Sequence, residues 1–147
     1  MDSHSKANRW LSFERVVRFG DSDAAGVIHF FHLFRWSHES WEQSLESFGL
    51  KNEDIFPGVN GNIANPEIVL PIVYSSANFF KPIKTGDILE VQIIPEEIDS
   101  KSFQVLIEFR REDDLVASTL IRHVAINSKT QKRCLIPKGI KSWLAAS

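Results

Sequence analysis

The chain is expected to fold as an α+β domain, with one long helix packed on an antiparallel sheet. Three observations predict it. Residues 30–48 carry helical periodicity, the residues after 70 alternate apolar with polar positions, and the turns between those alternating runs are too short for crossover helices. At 147 residues, 43% hydrophobic and 24% charged, the sequence suits one domain with one core. That domain is expected over 13–147, after a polar segment, 1–12, expected to fray.

Residues 13–19, FERVVRF, read as the first strand, with Phe13, Val17 and Phe19 set against Glu14 and Arg18. Gly20 to Gly26 breaks it. In the helix over 30–48, Phe30, Phe34, Trp41, Leu45 and Phe48 fall within an arc of about 60°. Ser37, Ser40, Ser44 and Ser47 lie beside that arc, small enough for close approach to a sheet, and Arg35, Glu39, Glu42 and Glu46 lie opposite. Gly49 is placed to end the helix. Residues 50–69, with Pro57, Gly58, Gly61 and Pro66, read as a long irregular segment of the kind that often carries function. Four strands follow. The first spans 70–80, KTGD at 84–87 is a turn, and Leu89, Val91 and Ile93 alternate inward. Asp99-Ser100 turns into a run in which Phe103, Val105, Ile107 and Phe109 alternate, and EDD at 112–114 turns into a last strand over 115–126.

Composition removes several functions. A net charge of −2 leaves no basic footprint for nucleic acid. No apolar run reaches the roughly 18 residues of a membrane span, and the N-terminus lacks the apolar core of a secretory signal. One cysteine, Cys134, excludes an internal disulfide and points to a reducing compartment, the cytoplasm. There is no G-x-S-x-G elbow, H-E-x-x-H pair or P-loop, and Cys134 has no motif that would activate it. His29, His32 and His38 do not share one helix face, so they make no metal set.

The stretch FGDSDAAGVIHF, 19–30, remains. Asp21, Asp23 and Gly26 match the start of a calcium loop, but its fifth position is Ala25 and its twelfth is His32, where a bidentate carboxylate is required. The stretch joins a strand to a helix, where amides are unpaired and the dipole end is positive. A carboxylate there either caps the helix or does chemistry, and two carboxylates leave room for one of each.

The run F-G-D-x-D-x-x-G-V-I, followed by aromatics and a tryptophan-bearing helix, resembles the 4-hydroxybenzoyl-CoA thioesterase family of hotdog-fold proteins. The resemblance covers roughly residues 13–126, and LPIVYSSANFFKPIKTGDIL, 70–89, is similar to the family's second strand and following turn. It implies a hotdog fold, in which a five-stranded antiparallel sheet wraps a long helix. It implies acyl-CoA thioester hydrolysis with Asp23 as the catalytic carboxylate, acting as nucleophile or as general base. The Phe30 amide would donate to the thioester oxygen, while Gly26 and Asp21 would shape the loop. The runs D-x-A-G-V-I-x-F and P-I-V-x-x-S-x-x-F-F are most similar to a branch hydrolysing 1,4-dihydroxy-2-naphthoyl-CoA in phylloquinone and menaquinone biosynthesis. Other aromatic or short-chain acyl-CoA esters, or non-catalytic binding of an acyl thioester, are the alternatives. His29, Phe31, Val73, Tyr74 and Ser75 would line the acyl pocket, and Lys101 would sit near the CoA phosphates. No metal or organic cofactor is implied. A homodimer or homotetramer with active sites between subunits is.

Overall fold

The structure is a computed structural model and describes residues 9–22, 28–51, 55 and 67–147. Five strands form one antiparallel sheet: β1 (Ser12–Val16), β3 (Ile72–Phe79), β4 (Ile88–Asp99), β5 (Ser102–Arg111) and β6 (Asp114–Val124), in the order β1-β4-β5-β6-β3. Two short strands, β2 (Ile68–Val69) and β7 (Ile126–Asn127), pair as a separate ribbon. Helix α1 (Phe30–Phe48) lies against the inner face of the sheet, and α2 (Lys138–Ala146) closes one end of the core. This is the hotdog arrangement.

The sheet follows its alternation. Val91 pairs with Phe109 and Phe109 with Ala117, Ile93 with Ile107 and Ile107 with Thr119, so the inward rows run unbroken across three strands. Leu89, Val91, Phe103, Val105, Ile107 and Phe109 are buried. The expected turns stand where placed, with Gly86 at φ +95° and Glu112 at φ +58°.

Helix α1 has the expected bounds but a different inner face. Leu33, Trp36, Ser37, Ser40, Trp41, Ser44 and Leu45 are buried, while Phe30 is 49% exposed. At 100° per residue the buried face is turned roughly 60° from the aromatic arc, onto the serine stripe. Closeness is the cause. Ser37 Oγ donates to the Leu33 carbonyl at 2.7 Å and lies 2.6 Å from Thr119 Oγ1 of β6, which supplies the proton for that second bond. Trp143 of α2 donates to Ser44 Oγ at 3.0 Å. Small, satisfied hydroxyls let the helix approach where a phenylalanine would hold it away. At its C-terminus Gly49 adopts φ +113°, its amide bonds the Glu46 carbonyl and the Leu50 amide the Leu45 carbonyl. That is a Schellman ending, which a residue with a Cβ would strain.

Two expected strand bounds are corrected. The first strand ends at Val16, and Phe19 is 85% exposed in a 3-10 turn, Phe19–Asp21. The last strand stops at Val124, before β7 begins. Helix α2 was not anticipated, although Ile140, Trp143 and Leu144 have amphipathic helical spacing and all three are buried. Of the segment expected to fray, Arg9–Leu11 form a 3-10 turn, Leu11 is buried, and Trp10 stacks edge-on against Phe48 at 5.3 Å.

Candidate active site

The stretch that raised the functional question spans the gap between β1 and α1. Asp23 and Gly26 lie outside the described residues, but the chain on both sides is placed. On the near side Asp21 is 6% exposed. Its Oδ2 accepts the Arg18 amide at 2.9 Å, capping the 3-10 turn, and its Oδ1 accepts Arg35 Nη2 of α1 at 2.6 Å. On the far side Ile28 is buried, and its amide donates to the Ile83 carbonyl at 3.2 Å. Ser22 and Ile28 form an antiparallel bridge, so the ends of the five-residue segment between them stand side by side.

Helix α1 starts next to this stem. His29 is its N-cap residue: Nδ1 accepts the Phe31 amide at 3.3 Å. An accepting Nδ1 carries no proton, so the neutral ring holds its proton on Nε2. Phe30 is the first helical residue, and an amide there has no acceptor within the helix. The cap that sequence reasoning left open to a carboxylate is therefore filled by His29, and Asp21 is committed to the stem.

The remaining pocket candidates fall into two groups. The Phe30 ring lies 4.9 Å from that of Phe79, Phe31 is 62% exposed, and a mostly apolar cleft of about 400 Å³ lies alongside, lined by Ile28, Phe79, Phe80, Lys81 and Pro82. Val73, Tyr74 and Ser75 sit toward the other end of β3, about 13 to 20 Å from Phe79 at 3.3 Å per residue. Val73 bulges out of the β3–β6 pairing and lines a separate cleft of about 790 Å³ with Asp99, Arg122 and Arg133. One chain does not bring the two groups together.

Lys101 stands on the exposed β4–β5 turn, its amide donating to Asp99 at 2.8 Å. That bond first, then the Ser102 hydroxyl, holds the Asp99 carboxyl below its usual range; desolvation opposes them, and the nearby Arg133 cation adds a lesser lowering. Arg35 and Arg133 were not singled out from sequence. Each reads locally as an ordinary surface cation, and only the fold shows what stands beside it. Among the described residues, no cluster of three His, Cys, Asp or Glu side chains is placed to hold a metal ion, and no helix is long and apolar enough to cross a membrane.

Known proteins are similar to this chain over nearly its whole length. A 1,4-dihydroxy-2-naphthoyl-CoA hydrolase of Prochlorococcus marinus (strain MIT 9313) is 56% identical over 138 residues, covering 94% of this chain and 91% of that protein. One from Synechococcus sp. (strain WH7803) is 45% identical over 141 residues, covering 96% and 92%. The crystal structure of a 1,4-dihydroxy-2-naphthoyl-CoA thioesterase from Synechocystis superposes with a TM-score of 0.81 at 26% identity, covering 92% of this chain and 95% of that one. The model of the thioesterase-like superfamily matches residues 17–144, from just after β1 into α2, and with the fold and the relatives in agreement the chain belongs to that superfamily.

Proposed function

We propose that the protein hydrolyses 1,4-dihydroxy-2-naphthoyl-CoA to 1,4-dihydroxy-2-naphthoate and CoA, the reaction named for its relatives. The observation that carries the chemistry is the position of Phe30. Its amide opens α1 directly after a stem that brings the two ends of the Asp23 segment together. Asp23 either attacks the thioester carbonyl, expelling CoA as the thiolate and giving a mixed anhydride that water then hydrolyses to the naphthoate and the free carboxylate, or takes a proton from a water that attacks the carbonyl and passes it to the departing CoA sulfur. The Phe30 amide, backed by the positive end of the helix, stabilises the oxygen as charge develops on it. Nothing in this scheme requires a metal or an organic cofactor. Gly26 serves the turn of the loop. A flat bicyclic acyl group suits the exposed apolar surface of Phe30, Phe31 and Phe80, with half-buried Phe79 beneath it, beside the helix start and with His29 at its edge. Lys101 is assigned to the CoA phosphates, and the single cysteine supports a place in the cytoplasm.

Two copies complete the site in this reading. The outer edge of β3 has no partner strand among the described residues, and Ile72, Val73 and Tyr74 are each about half exposed along it. An unpaired apolar edge of this length is a ready template for a second strand. If β3 pairs antiparallel with its own copy, Val73, Tyr74 and Ser75 of one subunit fall beside Phe79 and Phe30 of the other. The two groups that one chain keeps apart then meet. Sedimentation should show two chains, or a multiple of two. Val73→Asp with Ile72→Asp should shift the protein toward a single chain and lower activity at least about tenfold, since each active site loses one wall. A fully active single chain at assay concentration would overturn the shared site.

Free-thiol release from 1,4-dihydroxy-2-naphthoyl-, 4-hydroxybenzoyl-, benzoyl-, butyryl- and palmitoyl-CoA tests the substrate. The naphthoyl ester should exceed the others in kcat/KM by about a hundredfold, or about 2.7 kcal/mol of transition-state discrimination. Similar slow rates on every ester would keep a thioesterase and remove this substrate. No release from any would favour a binding protein.

A further inference from the structure

We propose that the cleft between the middle of α1 and the start of β3 receives the outer ring of the acyl group bound at the partner subunit's helix start, and that its depth selects a two-ring acyl group over a one-ring one. This rests on the thioester hydrolysis and the pairing through β3 given above.

The cleft holds about 330 Å³ and is lined by His38 and Trp41 of α1, by Ile55, and by residues 69–72, which run from β2 into β3. Its lining is mostly apolar, as in sites that take flat organic ligands. One wall is made of rings held in place. Trp41 is 2% exposed and stacks on His123 at 4.5 Å, and His38 meets it edge-on at 5.5 Å. His38 is tied along the helix, its Nε2 lying 3.3 Å from Glu42 Oε1. The facing wall is fixed through its backbone. The Leu70 carbonyl accepts His123 Nδ1 at 3.0 Å, and the Pro71 carbonyl accepts the Val124 amide at 3.2 Å. Walls fixed in this way measure an acyl group rather than adapt to it.

Within one chain the cleft is out of reach of the helix start. His38 follows Phe30 by eight residues, about 12 Å along α1. Ile72 precedes Phe79 by seven residues, about 23 Å along β3. A thioester carbonyl held at the Phe30 amide does not carry its rings that far. Antiparallel pairing of β3 with its own copy reverses the order. Ile72 of one subunit then comes toward Phe79 of the other. The cleft lies on the α1 side of the sheet, so it comes toward the surface where the Phe30 and Phe79 rings stand 4.9 Å apart. The ring next to the thioester rests on that surface and the outer ring enters the cleft. A one-ring acyl group ends before it.

The test fills the cleft with Val69→Trp and widens it with Val69→Ala. Val69 lines it from β2, away from the β3 edge that pairs the subunits. Thiol release from 1,4-dihydroxy-2-naphthoyl-, 4-hydroxybenzoyl- and benzoyl-CoA is measured for each variant, with sedimentation to follow the number of chains. Val69→Trp should lower kcat/KM about a hundredfold for the naphthoyl ester and less than about fivefold for the one-ring esters. Val69→Ala should lower it about tenfold for the naphthoyl ester, through lost contact, and less than about twofold for the others. The alanine variant carries the test if the tryptophan variant does not fold. Equal losses on all three esters, or none on the naphthoyl ester, would overturn the proposal.

Mixed dimers, with one Val69→Trp chain and one Asp23→Asn chain carrying different purification tags, show whose cleft is used. A cleft serving the partner's site leaves one site with both changes and one with neither, so the wild-type preference for the naphthoyl ester should be kept. A cleft serving its own chain puts Val69→Trp in the one site that still has Asp23, and the preference would be lost, which overturns the shared arrangement. Failure of the underlying reading looks different: turnover then survives in Asp23→Asn dimers, and the ratio of esters hydrolysed by Val69→Trp alone still decides whether the cleft selects the acyl group.

Discussion

Asp23→Asn is expected to lower kcat by about 10³- to 10⁴-fold, or about 4–5.5 kcal/mol, while binding of the CoA ester persists. The amide is nearly isosteric with the carboxylate, so packing at the position is kept. It is neither a base nor a useful nucleophile, so both routes to thioester cleavage close together. Binding should survive because, in the proposed site, the acyl group would rest on apolar surface around Phe30 and Phe79, rings 4.9 Å apart, and the nucleotide would be held elsewhere. Thiol release measures the first quantity, and calorimetric titration of the variant with intact ester measures the second. Turnover within about tenfold of wild type would remove Asp23 from the chemistry. Loss of binding with kcat intact at saturation would make it a substrate contact instead.

The second large effect is on stability in acid. His123 is 2% exposed, stacked between Trp41 at 4.5 Å and Phe103 at 5.0 Å, and its Nδ1 lies 3.0 Å from the Leu70 carbonyl, to which it donates. Burial is the main cause that pulls its pKa from 6.5 down to about 4; the bond to Leu70 opposes this and nearby His38 adds to it. Above pH 6.5 the ring is neutral in the folded and unfolded chain alike, so stability there does not depend on it. Between pH 6.5 and 4 the unfolded chain takes up a proton that the folded chain refuses, and stability falls as pH falls. The loss should reach about 2 kcal/mol at pH 5 and about 3 kcal/mol at pH 4. Urea unfolding at pH 7, 5 and 4, at fixed protein concentration, should show this slope in the wild type. His123→Gln should be less stable at pH 7 but should lack this part of the slope, while the carboxylates contribute equally to both proteins. Parallel slopes would mean that the ring is protonated while still folded.

Much of this was readable in the chain, for a physical reason that can be traced residue by residue. The inward rows of β4 and β5 could be read because alternation is a property of the extended backbone, and the bounds of α1 because Gly49 permits a left-handed ending that few other residues tolerate. The inner face of α1 was misread because apolar area was taken as the guide to burial. The sheet instead selected the narrow side, Ser37, Ser40 and Ser44, and left Phe30 at the surface. Helix α2 escaped attention although Ile140, Trp143 and Leu144 carried its signal in a segment of only nine residues. In the site, the order Asp23, Gly26, Phe30 is local and was visible. The tie from Asp21 to Arg35 joins residues that no short-range pattern connects.

By itself the sequence determined what depends on neighbours in the chain: the strand alternation, the turns, the span and ending of α1, and the motif that places a carboxylate before a helix. Only the tertiary structure decided that β1 sits beside β4, that β3 has an open apolar edge among the described residues, that serines face the sheet, and that His29 rather than a carboxylate caps α1. Local geometry follows from backbone sterics and hydrogen bonding within a few residues. Strand order, burial and long-range ion pairs are settled by which surfaces can be hidden together, and that is a property of the whole chain at once.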